Sequence, residues 1–244
     1  MKRFNYLFVL LFSITMSSHA NPIIYEYIDE VISAARSGEE NAQFILGYLY
    51  NIGNDKLGIV KNKDEAINWF KLSADNGFPF AQYALGDAYT WGDGVYKDRR
   101  EGYKWYLLAA NQGLAVAQSC VGELYRLGYG IPQNFTEAKK WYRSAAEQDD
   151  AIAQHYLATL LWGESLKSKN YIETYMWFNI AASQESEIKS ESIKNRNIIA
   201  QSISNSDINK AQQLGLEWKP KLSQNTILYN EYIERYINIL KYKK

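Results

Sequence analysis

The sequence predicts an all-α fold: an α-solenoid of helix-turn-helix repeats with a period of 36 and a helical cap at each end. Three observations lead there. The first is self-similarity. Residues Ala81–Leu114 read AQYALGDAYTWGDGVYKDRREGYKWYLLAANQGL. Thirty-six positions on, the pattern returns as Ala117-Gln118, Gly122, Tyr125, Gly128-Tyr129-Gly130, Asn134, Glu137, Trp141-Tyr142 and Ala145-Ala146. It returns again, worn, as Ala153-Gln154, Leu157, Asn170, Glu173, Trp177-Phe178 and Ala181-Ala182. A fourth copy lies upstream, from Ala42-Gln43 through Gly47, Tyr50, Gly53, Asn62, Glu65, Trp69-Phe70 and Ala74 to Gly77. Self-similarity at a fixed period of this size is the mark of a stacked array.

The second observation is a recurring helix start. Asn62, Asp98, Asn134 and Asn170 are each followed three residues later by Glu65, Glu101, Glu137 and Glu173. An Asx side chain accepts from first-turn amides, and a glutamate at that spacing reaches back to the cap's own amide. The third is helical spacing of small and apolar residues: Ala81, Ala84, Leu85, Ala88 and Tyr89 in one helix, Trp105, Tyr106, Ala109 and Ala110 in the next. Gly47, Gly86 and Gly122 sit beside the first-helix stripe. Glycine weakens a helix, so its return at one register points to close helix approach. Gly92 and Gly94 stop the first helix, and Gly77 and Gly113 end the second. Trp105 beside the Ala109-Ala110 pair gives a bulky residue against small ones, and Trp105→Ala is expected to cost ~3–5 kcal/mol. A lone hairpin cannot bury such a stripe, so neighbouring repeats must stack.

Taken in order, residues 1–20 read as a secretory signal peptide. Lys2 and Arg3 precede the apolar run Leu7–Phe12, and Ser18-His19-Ala20 offers small residues for cleavage after Ala20. The apolar run is too short to span a bilayer, so the expectation is an exported, periplasmic or secreted chain with no integral membrane span after cleavage. Residues 21–41 form a capping helix that lacks the cap and the Trp of the repeats, with Glu30 in the Trp position. Repeats follow at 42–80, 81–116, 117–152 and 153–186. The first is longer because its Gly53–Lys61 loop carries three extra residues. Residues 187–244 form a helical C-terminal cap, with Ile188, Ile198 and Ile199, then Ala211, Leu214 and Trp218, then Ile227, Ile233, Tyr236, Ile237 and Leu240 as apolar positions. Lys241, Lys243 and Lys244 complement the C-terminal end of the last helix.

These residues resemble the Sel-1-like repeat (SLR) family, a 36-residue relative of the tetratricopeptide repeat. The shared pattern is A-x-x-x-L-G-x-x-Y-x-x-G-x-G-V-x-x-D followed by E-x-x-x-W-Y-x-x-A-A-x-x-G. Residues 81–113 match it almost throughout, and 117–148 and 42–77 closely. Residues 153–186 depart from it: Ala158 replaces the glycine, and Glu164 and Leu166 replace the loop glycines. The resemblance implies a right-handed, TPR-like solenoid used for protein binding. Exported bacterial members are similar to adhesion, effector-handling and envelope-adaptor proteins, and short ones include immunity proteins that neutralise effectors acting in the periplasm.

Composition narrows the chemistry. The chain has 27 basic and 27 acidic residues; loss of Lys2 and Arg3 leaves 25 against 27, near −2, which gives no reason to expect a nucleic-acid partner. One cysteine, Cys120, excludes an intramolecular disulfide, and its register places it on the core side. Beyond the signal segment there is one histidine, His155, so a histidine metal cluster is not expected and no cofactor is expected. The Gly-x-Gly turns lack a preceding strand and a Gly-Lys-Ser/Thr ending. Some cysteine-rich relatives are described as β-lactamases, but this chain lacks their paired cysteines and any supported Ser-x-x-Lys. A cell-wall hydrolase is the other enzyme class to weigh, and no catalytic residue is assigned to either.

The expected function is therefore non-enzymatic binding of a protein or peptide on a concave face. Rotation by 100° per residue places Phe44, Tyr48 and Asn51; Tyr83, Asp87 and Thr90; Ser119, Glu123 and Arg126; and His155, Thr159 and Trp162 opposite the packed faces of the first helices. These positions change residue type between repeats while the packed ones recur. Clustered aromatics such as Phe44, Tyr48, Tyr83 and Trp162 are typical of interfaces.

Overall fold

Repeated helical hairpins make up the protein, as the period demands. The computed structural model describes residues 22–168 and 170–231, and every named element among them is helical. The signal segment and its cleavage point lie outside the described residues, as do Ile233, Tyr236, Ile237, Leu240 and the terminal lysines. The chain divides into two compact units, with the boundary between Trp105 and Tyr106.

The first unit begins with α1 (Pro22–Arg36) and α2 (Glu40–Ile52). A 3-10 turn at Asp55–Leu57, closed by an Asn54–Ile59 bridge, occupies the longer loop. Then come α3 (Lys63–Asp75), α4 (Pro79–Trp91) and the start of α5 (Arg99–Asn111). Helix α1 packs on α2, α2 on α3 and α3 on α4. Val31, Ala35, Ala42 and Leu46 form one core cluster between α1 and α2.

The second unit holds the end of α5, then α6 (Ala115–Leu127), α7 (Phe135–Ala146), α8 (Ala151–Ser168) and α9 (Ile172–Ser183). Helices α10 (Lys189–Ala200) and α11 (Asn205–Glu217) cover the last repeat through Ile199 and Ala211, and Trp218 lies edge-on to Trp177 at 5.7 Å. Ile198 and Leu214, two of the apolar positions of the C-terminal cap, are 40% exposed. Helical backbone resumes at 224.

Each hairpin closes by the same two devices. The cap residue's N–H donates to the tyrosine carbonyl of the first helix: Asn62 to Tyr50 and Asp98 to Tyr89 at 2.8 Å, Asn134 to Tyr125 at 2.9 Å. Its side chain then accepts from the new helix: Asn62 from Glu65 N–H at 3.1 Å, Asp98 from Glu101 and Asn134 from Glu137 at 3.0 Å. The glutamates, expected to turn back to the cap, instead pair along or across helices: Glu101 with Lys104, Glu137 with Lys140 and Glu173 with Arg143. In the fourth repeat the cap weakens to a 3.4 Å contact from Asn170 to Ile172 N–H. Helix α8 runs to 18 residues there, because Glu164 and Leu166 stand where left-handed glycines stop α4 and α6.

The glycine register is a close-packing register. A Cβ on Gly47 would meet the Phe70 ring at 2.8 Å, and one on Gly122 the Tyr142 ring at 2.9 Å. Phe70, Tyr106, Tyr142 and Phe178, one place after the tryptophan column, are all buried, whereas Trp69, Trp105 and Trp141 are half-buried and only Trp177 of that column is buried. Trp105 therefore carries less of the core than its spacing with Ala109-Ala110 implies.

A further set of bonds ties repeat to repeat. The buried side chains of Gln43 and Gln82 donate to the carbonyls of Ala35 and Ala74, both at 3.2 Å. In the second unit Gln118 reaches Ala110 at 3.2 Å and Gln154 reaches Ala146 at 3.3 Å. The amide oxygens accept in turn: Gln43 from Asn76 at 3.1 Å, Gln118 from Gln148 and Gln154 from Gln184 at 2.8 Å. Gln43, Gln118 and Gln154 each tie the helix before them to the end of the second helix of their own hairpin.

Gln118→Leu leaves the Ala110 carbonyl and the Gln148 amide without this partner, and the expected cost is about 1–3 kcal/mol. Gln212→Leu on the exposed face of α11 is expected to stay within about 0.5 kcal/mol. Gly122→Ala pushes a methyl into the buried Tyr142 ring and is expected to cost about 1–3 kcal/mol. Urea unfolding of the three variants measures all of this.

Candidate partner-binding faces

The two units present the expected first-helix positions differently from the simple rotation. In the first unit Phe44 is interior, 6% exposed, with Phe70, Phe78 and Phe80 ring centroids at 5.6, 5.4 and 6.0 Å. Thr90 is also interior, pressed against Gly102 of α5. Tyr48, Asn51, Tyr83 and Asp87 remain half-buried. In the second unit Ser119 and His155 are buried and Glu123, Arg126 and Trp162 half-buried. Thr159 is exposed, its hydroxyl donating to the His155 carbonyl at 2.9 Å.

Phe44, Thr90, Ser119 and His155 are thus corrections to the expected face. The physical reason is that a helix in an array has neighbours on three sides. A residue rotated off the hairpin stripe meets the following helix before it meets solvent. Phe44 does so with Phe78 and Phe80 at the next first helix, and His155 with Ser192 on α10. Cys120, expected inside, is half-buried instead.

The half-open positions of the second unit form one connected group. Arg126 Nε and Nη2 hold the Glu123 carboxylate at 2.7 and 2.6 Å. The Tyr142 hydroxyl donates to the same carboxylate at 2.5 Å. The Arg126 guanidinium lies 4.6 Å from the Tyr156 ring centroid, and Tyr156 stacks on Tyr142 at 5.6 Å and 25°. The hydrogen bond to Glu123 holds Arg126 above its usual range, against a smaller opposing effect of burial. Burial, then the Glu123 bond, push Tyr142 up, and burial likewise raises Tyr156. Neither tyrosine ionises near neutrality, so the group is a fixed rail with one side of its charges open to water. Tyr142 and Tyr156 escaped the sequence reading because one belongs to the packed column and the other aligns with Ala84 and Cys120. Their meeting with Arg126 has no periodic trace.

His155 has acid-base neighbours: its Nδ1 lies 2.9 Å from Ser192 Oγ and its Nε2 3.8 Å from Glu191. The order Ser, His, Glu resembles a hydrolytic relay, but Ser192 is 0% exposed and its hydroxyl also donates to the Ile188 carbonyl at 3.0 Å. A nucleophile must reach substrate, so this set works as a buried joint between α8 and α10. Ser192 and Glu191 lie beyond the last repeat, where no register pointed to them.

Among the described residues, no group of three or more His, Cys, Asp and Glu is placed to hold a metal ion. No helix there is long and apolar enough to cross a membrane. A shallow pocket of about 520 Å³ in the first unit lies between Ile28 and Ile32 of α1, Tyr50 of α2 and the longer loop at Leu57–Asn62.

Helical hairpins of one repeat length, closed by equivalent bonds and carrying variable side chains on their first helices, define a repeat-built scaffold. The family model described as Sel1 repeat matches residues 41–78, 79–114, 115–150 and 151–186. The chain belongs to the Sel1 repeat family. Such repeats usually mediate protein binding and are generally non-catalytic scaffolds. Among solved structures the chain is similar to c5321, a protective antigen present in uropathogenic Escherichia coli strains displaying an SLR fold, at TM-score 0.68 and 26% identity over 79% of this chain. It spans 40% of that protein's length. It is also similar to a Sel1 repeat protein from Oxalobacter formigenes, 40% identical over 52% of this chain and 94% of that one, at TM-score 0.49. The immunity protein Pa5087 from Pseudomonas aeruginosa is 17% identical over 84% of this chain and 80% of its own, at TM-score 0.44. No curated protein matches the chain.

Two titrating groups of the second unit oppose each other. Burial lowers the pKa of His155, with Glu191 partly offsetting it. The unfolded state then takes up a proton first, below about pH 6.5, so this group's stability is lost as pH falls from there toward its lowered native value. Burial pushes Asp150 up to about 6. There the native state takes the proton first, so stability is gained as pH falls from about 6 toward its unfolded value near 4. Thermal melts between pH 7 and 4 are expected to show less acid loss in His155→Asn than in the native chain, and more in Asp150→Asn.

Proposed function

We propose that the chain is an exported, non-enzymatic binding module that holds a protein or peptide on the first-helix faces of its repeats. One observation carries this reading: the half-exposed positions of those helices bear aromatic and charged side chains beside packed hairpin cores. In the second unit these are Glu123, Arg126, Tyr156 and Trp162, with exposed Thr159 among them; in the first they are Tyr48, Asn51, Tyr83 and Asp87. Rigid aromatic and arginine side chains that keep one side open give contact area at low entropic cost. The Glu123–Tyr142 anchor fixes Arg126 in advance, so little order remains to be imposed on binding.

Export rests on the charged, apolar and small-residue order of the first 20 residues. No step of catalysis is proposed, since the one histidine of the chain beyond the signal segment is occupied in a buried joint.

The test is photo-crosslinking from position 159 in the periplasm, followed by capture with substituted chains. Thr159→Lys and Trp162→Ala are each expected to weaken capture about tenfold or more, with the melt of Thr159→Lys unchanged. Capture indifferent to substitution on the first-helix faces of both units would sink the reading, as would turnover of nitrocefin or peptidoglycan abolished by a point change. One stoichiometric toxic partner identifies an immunity role; a mixed set of envelope proteins identifies a scaffold.

A further inference from the structure

Helix α6 begins without a cap of its own. The residue before it is Leu114, which has no side-chain acceptor, and its first amide belongs to Ala115. The equivalent start of α8 is capped by Asp150, which accepts from Ala153 N–H at 2.7 Å, and α4 starts with Pro79, which has no N–H to satisfy. At α6 the acceptor comes from elsewhere in the second unit: Ala115 N–H donates to Thr226 Oγ1 at 3.0 Å.

Thr226 arrives as part of a short, self-capped helix start. Ser223 Oγ accepts from Thr226 N–H at 3.1 Å, and helical backbone runs on from 224. The element is held by hydroxyl and main-chain bonds. Ser223 Oγ donates to the Gly113 carbonyl at 2.7 Å, and Thr226 Oγ1 donates to Gln148 Oε1 at 2.7 Å. Ser223 N–H donates to the same Gln148 oxygen at 2.9 Å. Asn225 Nδ2 reaches the Gln112 carbonyl at 2.9 Å, and Lys221 N–H reaches the Glu147 carbonyl at 2.7 Å. Gln148 is itself pinned, its amide donating to Gly113 and Gln118 at 3.0 and 2.8 Å. A Cβ on Gly113 would meet Ser223 Cβ at 3.1 Å, so glycine admits the close approach. Gly113 oxygen, Ala115 N–H and Gln148 oxygen thus form an acceptor, donor, acceptor set that one Ser-x-x-Thr element satisfies completely. The segment joining it to α11, residues 218–223, has no regular structure and includes Pro220, so the element is docked by its own contacts and not by a rigid connection.

We propose that the edge formed by Gly113, Ala115 and Gln148 is a recognition site for a hydroxyl-capped helix start, Ser/Thr-x-x-Thr, which this chain fills with its own Ser223–Thr226 and for which a partner's helix of the same kind competes. The site is separate from the first-helix faces and stands whether or not those faces bind.

The test uses the full chain, the variants Ser223→Ala/Thr226→Val and Thr226→Val, and a labelled synthetic peptide of residues 219–231. Trypsin cleavage after Lys221 reads release of the internal element. It is expected to run about tenfold faster in the double variant, from loss of these bonds. The peptide is expected to bind the double variant saturably and the native chain at least about tenfold more weakly. A peptide with Ala and Val in place of the two hydroxyl residues is expected not to bind at the same concentrations. Unchanged cleavage in both variants, no saturable binding to a variant whose element is released, or equal binding of the two peptides would each overturn the proposal.

Discussion

The fold depends on a buried glutamine that recurs once per repeat. A glutamine at 0–8% exposure is costly unless both ends of its amide are bonded. In this protein the nitrogen takes the last-turn carbonyl of the helix eight residues back, and the oxygen waits for an Asn or Gln some thirty residues on. The first bond is local and forms with the turn. The second forms only when the second helix of the same hairpin is in register. Apolar stripes alone would tolerate a slipped or rotated neighbour; an unfilled amide oxygen in the interior would not. Asp149 shows how strongly this position is held. It replaces the turn glycine at φ 72, a conformation that asparagine and aspartate visit at some cost. Its carboxylate then accepts from both Gln154 and Gln184, at 3.2 and 2.7 Å.

Much of this scaffold is legible in the chain because its causes are local. Asn62, Asp98 and Asn134 cap because their own following amides are within reach. Gly47 and Gly122 mark close approach because only a missing Cβ admits the aromatic of the same hairpin. The failed stop at Glu164 and Leu166, and with it the long α8, follows from the same logic. What local pattern does not give is the identity of the neighbour. The 100° rotation picks out Tyr48, Tyr83, Arg126 and Trp162, which are half-buried, and Thr159, which is exposed, although Trp162 also packs against the core. It cannot say that Phe44 and His155 face another helix, because that depends on how consecutive first helices stack. The glutamines were visible as part of the repeated pattern, yet their bonds were not, since a polar residue at a regular register reads equally well as solvated.

The rail of Glu123, Arg126, Tyr142 and Tyr156 and the joint of His155, Ser192 and Glu191 share one wall. His155 and Tyr156 are adjacent in α8, their rings edge-on at 5.2 Å. On one side of that backbone the side chains are solvent-facing and hold fixed charge. On the other, His155 and Ser192 are buried and Glu191 stays exposed at the edge. A load placed on Arg126 therefore bears on Tyr156 directly, and through it on the helix that carries the C-terminal cap.

Bonds between adjacent repeats span a few tens of residues at most, whereas Ser223 and Thr226 meet Gly113 across 110 and 113 positions. The element that finishes the α6 start thus comes after every hairpin in the order of synthesis. A chain interrupted after α11 would carry every hairpin and still lack the last bond at its middle. Completion of the α6 start waits on a segment more than a hundred positions further along the chain.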